Sequence, residues 1–492
     1  MSDLISNLYG NPHSESTPSA LAGRRVDEIR QRALQFFNAD PDHFDLVFVA
    51  NATAAIKLIL EAFRDDGADS GIGGKVKKKG RGFWYGYHRD AHSSLVGVRQ
   101  ATNGLHRCFE SDAEVEEWIQ AVPTREEKER TCLFGYPGQS NMTGRRLPPS
   151  WPSMIRQSQK RQNTYTLLDA AALAASTFLD FGNEVNAPDF TSVSFYKIFG
   201  YPDLGALIVR KSSGAILQRR RYFGGGTVDM VISIKNNWHA KKNSSLHDQL
   251  EDGTLPFHSI FALDAAIDVH QQLFGSMKDI SAHTAFLSKR LYDGLSQLKH
   301  LTGTPLCHVY KDASAAYGDP ATQGATIAFN VQRPDGTIVG YTTVERLADQ
   351  NGIYLRSGGL CNPGGIATYL EWAPWEMKAA YAAGHRCSRP TEVMHGKPTG
   401  VVRASLGAMS TIRDVDALVT FLRKAFLADA VSSDAYMGGQ LAALDSDTSV
   451  ADSLGLSDKG HSRPARAQGW KPQIRNFIRK HVAIKKAARA GA

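Results

Sequence analysis

An α/β fold is what this sequence predicts: a large domain built around a mainly parallel central sheet, followed by a smaller α+β domain. Three observations carry the prediction. Apolar runs of strand length alternate with amphipathic runs of helix length through most of the chain. The strand-like runs are continuously apolar, as strands covered on both faces must be. The 492 residues are also too many for one small core, so two or three domains are expected.

The elements follow in order. Ser19 to Phe37 repeats apolar residues at helical spacing and predicts an amphipathic helix. Asp45 to Ala50 is a short buried strand, and Ala54 to Phe63 is a helix opening straight after it. Cys132 to Gly135, Tyr165 to Asp169 and Leu204 to Arg210 are further strands. Helices are expected over Ser259 to Phe274 and Ser281 to Leu298, where the chain enters the smaller domain. There Gly324 to Asn330 and Val401 to Ser405 read as strands, and Ile412 to Ala428 as the closing helix. The domains expected are 1–270 (large), 271–430 (small) and 431–492 (linker and basic tail). Two stretches look inserted. Asp65 to Arg81, with Lys75, Lys77, Lys78 and Lys79, reads as a solvated loop. Val431 to Ala467 is rich in Ser, Asp, Gly and Ala and reads as a linker. Trp470 to Ala488 is either a short basic amphipathic helix or a disordered tail.

Bulk properties exclude several function classes. No run of about eighteen apolar residues occurs, so no transmembrane segment is expected. Met1 to Gly10 lacks the basic-then-apolar layout of a signal segment. The five cysteines, Cys108, Cys132, Cys307, Cys361 and Cys387, are scattered and form no CxxC pair. A disulfide framework and a metal site are therefore not expected, and a reduced, cytoplasmic compartment is. The net charge is +8, but residues 463–492 hold nine basic residues and no acidic one, so the rest of the chain carries −1. The basic character belongs to the tail, and no nucleic-acid partner is expected.

The chemistry is concentrated in a few positions. Lys197 lies in Thr191-Ser-Val-Ser-Phe-Tyr-Lys-Ile-Phe-Gly200, at the end of a strand-like run and before a glycine turn. Asp169 ends the apolar run Thr166-Leu-Leu-Asp169, 28 positions earlier. This is how a pyridoxal 5′-phosphate (PLP) enzyme presents its cofactor: the amine forms a Schiff base, and the carboxylate keeps the pyridine nitrogen protonated. Asn51-Ala-Thr-Ala-Ala55, between a strand and a helix, is a candidate phosphate cup through its backbone N–H groups and the Thr53 hydroxyl. His92 suits stacking on the ring and proton transfer, with His88 as its competitor. Cys361 sits in the glycine-rich stretch Leu355-Arg-Ser-Gly-Gly-Leu-Cys-Asn-Pro-Gly-Gly365, close to Arg356. A buried cysteine is usually a small hydrophobe, whereas one on such a loop is a nucleophile candidate. Arg403, inside an apolar strand, is either half of a buried ion pair or a fork for a substrate carboxylate.

Taken in order, six words resemble the class V, fold-type I PLP enzymes, and among them the cysteine desulfurase part of the molybdenum cofactor sulfurases, over residues 7 to 425. They are Asn7-Leu-Tyr-Gly-Asn-Pro-His-Ser14, Tyr136-Pro-Gly-Gln-Ser-Asn141, Leu168-Asp-Ala-Ala-Ala172, Ser194-Phe-Tyr-Lys-Ile-Phe-Gly200, Glu251-Asp-Gly-Thr254 and Leu355 to Gly364. The resemblance implies a fold-type I PLP-dependent transferase. It implies Lys197 as the Schiff-base lysine, Asp169 as the pyridinium partner and His92 stacked on the ring. Asn141 would contact the ring hydroxyl, and Ala52, Thr53 and Ser194 would hold the phosphate. Thr254 would reach the phosphate of a second subunit, which implies a homodimer. Arg403 would bind the substrate carboxylate, with Asn11 and Arg356 as further substrate-binding positions. Cys361 would take sulfur from L-cysteine as a persulfide and pass it to the molybdenum cofactor or a carrier protein. The alternative is a class V lyase or transferase acting on another amino acid in secondary metabolism.

Overall fold

The computed structural model describes residues 7–66 and 82–427, which belong to one compact unit. The lysine-rich stretch expected as a loop falls largely outside them. The linker and basic tail lie outside them entirely, as does the second unit, Asp429–Ala492.

A seven-stranded sheet forms the larger layer. Its strands are β1 (Phe44–Val49), β2 (Trp84–His88), β3 (His106–Phe109), β4 (Cys132–Pro137), β5 (Thr164–Asp169), β6 (Phe190–Ser194) and β7 (Gly205–Arg210), in the order β1-β7-β6-β5-β4-β2-β3. β7 is antiparallel to both of its neighbours, and every other pairing is parallel. The continuous apolar runs have the reason given above: successive residues alternate between two cores. Phe134, Tyr136, Ala206 and Ile208 face one core; Leu133, Leu167, Leu207 and Val209 face the other.

Helices cover both faces. Thr17–Phe36 and Phe257–Phe274 pack on one, sending Val26, Ile29, Ala33, Ile260, Leu263 and Ile267 into the core. Ala52–Asp66 packs on the other through Ala55, Ile56, Ile59, Ala62 and Phe63. Elements expected from the apolar runs occur within a few residues of their predicted ends. β2, β3 and the helix Asp112–Gln120 were not expected. β2 reads Trp-Tyr-Gly-Tyr-His, a polar-looking run that is nonetheless buried at every position.

A second sheet is antiparallel throughout, in the order Cys307–Tyr310, Thr326–Val331, Val401–Ser405, Arg356–Gly358. Its own core joins Ile327, Phe329 and Val402 to Leu287, Leu291 and Leu295 of helix Met277–Gln297 and to Val415, Leu418 and Leu422 of helix Ile412–Phe426. Both helices begin in capping boxes, Ser276 with Asp279 and Thr411 with Asp414. No helix among the described residues is long and apolar enough to cross a membrane.

One sequence word has a structural use. Glu251 is 9% exposed and Arg30 5%. The Arg30 guanidinium donates to both Glu251 oxygens, at 2.6 and 3.0 Å, and Phe48 N–H donates to the same carboxylate at 2.7 Å. Glu251 thus ties helix Thr17–Phe36 to β1. Removing one half of a buried pair strands the other charge, which costs about 3–5 kcal/mol. Glu251→Ala is accordingly expected to lower the unfolding free energy by about that amount in a denaturant titration.

Candidate active site

Six strands run in one direction, so their C-terminal ends and the turns that follow them meet at one edge of the sheet, where ligands of open α/β sheets bind. A cleft of about 430 Å³ opens there and reaches the second sheet. Asp169 closes β5 and Ser194 closes β6. Lys197 does not end a strand. β6 stops at Ser194, and the chain makes one helical turn, Phe195–Phe199, before Gly200 at φ 80° reverses it. Lys197 is exposed on that turn and lines the cleft.

The turn after β1 supplies the cup. Asn51 Oδ1 accepts from Ala54 N–H at 3.1 Å, capping helix Ala52–Asp66, and Ala52 N–H donates to Ser194 Oγ at 3.0 Å. Gly205 permits this approach: a Cβ there would sit 2.6 Å from Asn51 Cα and from the Val193 carbonyl oxygen. A hydroxyl chain continues outward, with Thr53 Oγ1 2.8 Å from Ser94 Oγ, which lies 3.0 Å from His92 Nδ1. Ser94 N–H also donates to His92 Nδ1, which places the proton of a neutral imidazole on Nε2.

Burial pushes the His92 imidazole below its ordinary value; Asp169 opposes this shift and Lys197 adds to it. Asp169 is 7% exposed, and one of its oxygens accepts from Ala171 N–H at 3.0 Å. Arg403 and Arg356 are cross-strand partners, and both line the cleft. Burial and the neighbouring Arg356 charge lower the Arg403 guanidinium from its usual value. Among the described residues neither arginine is paired with a carboxylate. Arg403 Nη1 donates to the Asn141 carbonyl at 2.7 Å, and its buried Nε has no partner. The lining thus carries three cations, Lys197, Arg356 and Arg403, against one carboxylate, Asp169.

Cys361 lies at the mouth of the same cleft, exposed, between the second sheet and helix Pro363–Tyr369. Leu360 and Cys361 both have left-handed backbones, φ 53° and 54°. For residues with side chains this costs roughly 1–2 kcal/mol each. Three hydrogen bonds hold the pair: Ser93 N–H to Cys361 O at 2.8 Å, Asn141 Nδ2 to Leu360 O at 2.7 Å, and Asn362 N–H to Gly359 O at 3.1 Å.

The cleft therefore gathers Ala52, Thr53, His92, Asn141, Asp169, Ser194, Lys197, Arg356, Cys361 and Arg403. Asn11 and Thr254 are not in its lining; they lie together elsewhere, Asn11 Nδ2 3.4 Å from Thr254 Oγ1. His88 is fully buried, its Nε2 3.3 Å from Asp112, while His92 faces the cleft. Gln139, Ser94 and Asn362 were missed. Gln139 carried a faint signal as a polar residue just past the apolar β4. Asn362 stood next to Cys361 but had no partner visible in the sequence. Other clefts are larger, one of about 670 Å³ beside Arg30 and His247 among them, so composition rather than size singles this one out. No cluster of potential metal ligands occurs among the described residues.

The donor set fits the cofactor expected from the sequence. A backbone cup with hydroxyls and surplus positive charge suits a phosphate. A buried carboxylate suits a protonated pyridine nitrogen, and an exposed amine suits an aldehyde. The sequence profile of the aminotransferase class-V family matches residues 1–371, which include the cup, Asp169, Lys197 and Cys361.

The chain belongs to the aminotransferase class-V family. It is 53% identical over 425 residues to a molybdenum cofactor sulfurase from Aspergillus niger, covering 86% of this chain and 50% of that one. It is 52% identical to one from Botryotinia fuckeliana, covering 88% and 52%. The chain thus spans about half the length of these relatives. Among solved structures, a cysteine desulfurase from Thermococcus onnurineus superposes with a TM-score of 0.63 at 17% identity, over 86% of this chain and 89% of that one. The cysteine desulfurase CsdA from Escherichia coli does so with 0.60 at 18%, over 86% and 89%. At such identities the likeness establishes the class-V fold: a mostly parallel sheet with a smaller companion.

Proposed function

We propose that this class-V chain is a PLP-dependent cysteine desulfurase of the molybdenum cofactor sulfurase type. L-cysteine would become L-alanine, with the sulfur held on Cys361 and then passed to an acceptor. The observation that carries the reading is that Cys361 lines the same cleft as Lys197, Asp169 and the unpaired arginines. A lyase or transferase of another amino acid would have no use for a thiol held there. The names of the relatives point the same way.

Lys197 would hold PLP covalently, Asp169 its ring nitrogen, Asn141 its ring hydroxyl, and Ala52, Thr53 and Ser194 its phosphate. When bound, PLP supplies a ring that accepts electrons from the substrate carbon skeleton. Arg403 and Arg356 take the substrate carboxylate, which a guanidinium fork binds in two places. Lys197 moves a proton at the substrate α-carbon. The Cys361 thiolate attacks the substrate sulfur: a sulfur–sulfur bond forms, the carbon–sulfur bond breaks, and the carbon keeps the pair and takes up a proton. Alanine leaves, and Cys361 carries the persulfide.

His92 serves as a neutral group, since burial disfavours its charged form. The rate is therefore expected to hold as pH falls toward the ordinary imidazole value of 6.5 and to drop only below it. A pH–rate profile of wild type beside His92→Gln checks this, because the acid limb should move only if His92 is its source.

The acceptor we propose is the molybdenum cofactor, from the name of the relatives, or a carrier protein. The setting is a reduced cytoplasm, consistent with five cysteines all free. A homodimer is part of the reading. Thr254 and Asn11 lie outside the cleft, free to meet a second subunit, and the hairpin Val228–Ile232/Trp238–Lys241 exposes Met230, Val231, Ile232 and Trp238. One preparation tests all of this. Purified protein should show a visible band that borohydride abolishes, release alanine from cysteine, and sediment as a dimer. Absence of the band refutes the cofactor, absence of alanine the substrate, and a monomer the shared site.

A further inference from the structure

Cys361 is presented by a segment that has no place of its own. It belongs to the second sheet's side of the cleft, yet the hydrogen bonds its tip makes beyond its own segment are with residues that follow strands β2 and β4 of the first sheet. Asn362 is the node of these contacts. It is fully buried, and its whole carboxamide is used. Nδ2 donates to the Asp90 carbonyl at 3.1 Å and to Asn141 Oδ1 at 3.0 Å, and Oδ1 accepts from Gly365 N–H at 2.8 Å. Asn141 in turn donates its own amide to Leu360 O at 2.7 Å. The two carboxamides therefore interlock across the cleft wall.

The anchor beneath them is a buried cluster of ion pairs. Asp90 is fully buried and paired with Arg145 at 3.0 Å; Arg145 also binds Asp112 and lies 3.5 Å from Asp312. Burial alone would raise the Asp112 carboxyl, but the nearby His88 imidazole and the Arg145 guanidinium outweigh it and hold it below the usual range. A second, independent feature shows how tightly the loop is seated. At Gly364 the backbone lies so close to the Arg89 carbonyl that a Cβ would collide with it.

We infer that Asn362 is a positioning residue, which latches the Cys361 loop onto the segments carrying His92 and Asn141 and so fixes the thiol at the cleft mouth. The cysteine then works from a fixed post rather than a swinging arm, and a sulfur acceptor has to reach the cleft itself. The inference rests on the desulfurase reading for its kinetic consequence, but the latch can be measured without any turnover.

Asn362→Asp keeps the oxygen that caps helix Pro363–Tyr369 and removes both donors. Gly364→Ala strains the same seat from the other side and leaves Asn362 intact. In either variant, amide exchange at Ser93, whose N–H is held by Cys361 O, is expected to rise about tenfold or more without cysteine present. The cofactor band and the KM for cysteine should stay near wild type, while the rate of alanine release at saturating cysteine falls about tenfold or more. Unchanged Ser93 exchange in both folded variants overturns the latch, whatever happens to activity. Faster exchange with an unchanged rate overturns the positioning role. If wild-type protein makes no alanine, the desulfurase reading fails, and the exchange result still decides the latch by itself.

Discussion

Cys361→Ala is expected to leave the cofactor bound and to stop sulfur removal. The visible band, its loss on borohydride treatment and its response to added cysteine should match wild type. Alanine release should fall on the order of a thousandfold or more, because the substrate carbon–sulfur bond then has no acceptor for its sulfur. The separation follows from placement. Cys361 lies at the cleft mouth on the second sheet's side, and none of the cup residues, Asp169 or Lys197 hydrogen-bonds to it. Normal alanine production by Cys361→Ala would remove the thiol from the mechanism and leave the chemistry of a lyase. Mass spectrometry of wild type after one turnover should find one extra sulfur on the peptide containing Cys361.

Lys197→Ala carries the second large effect, and a different pattern. Borohydride should no longer fix cofactor to the protein, since the amine it would trap is gone. Alanine release should fall on the order of a thousandfold or more, because in the proposed reaction one side chain would both hold the cofactor and move the proton. The cup should still retain PLP weakly, as backbone N–H groups and the hydroxyls of Thr53 and Ser194 would hold its phosphate without Lys197. A Lys197→Ala protein that borohydride still labels would place the covalent site on another amine. The two variants thus divide the site: one loses sulfur chemistry with cofactor binding intact, the other loses the covalent hold.

Much of this was legible in the sequence for local reasons. A strand covered by helices on both faces is buried at nearly every position, so β1, β4, β5 and β7 announce themselves as apolar runs whatever their direction. Asp169 and Lys197 follow such runs, and parallel strands deliver whatever follows them to one edge of the sheet. β2 escaped notice because its burial depends on tyrosines whose polar tips find partners elsewhere: Tyr85 OH donates to Leu95 O, and Tyr87 OH accepts from Arg99. Glu251 read as part of a functional word, but its carboxylate is committed to Arg30, 221 positions away.

By itself, then, the sequence determined the fold class, the turn at Asn51 that opens a helix after β1, and the residue types that the proposed chemistry requires. Tertiary structure decided which of them act together. Period and composition are properties of neighbours along the chain, whereas a cleft is a meeting of segments far apart in it. It chose His92 over His88 by burying the latter against Asp112. It left Arg403 and Arg356 side by side without a carboxylate. It joined Asn141 to Leu360 and Asn362 across some 220 positions, seating Cys361 where no local pattern could have placed it.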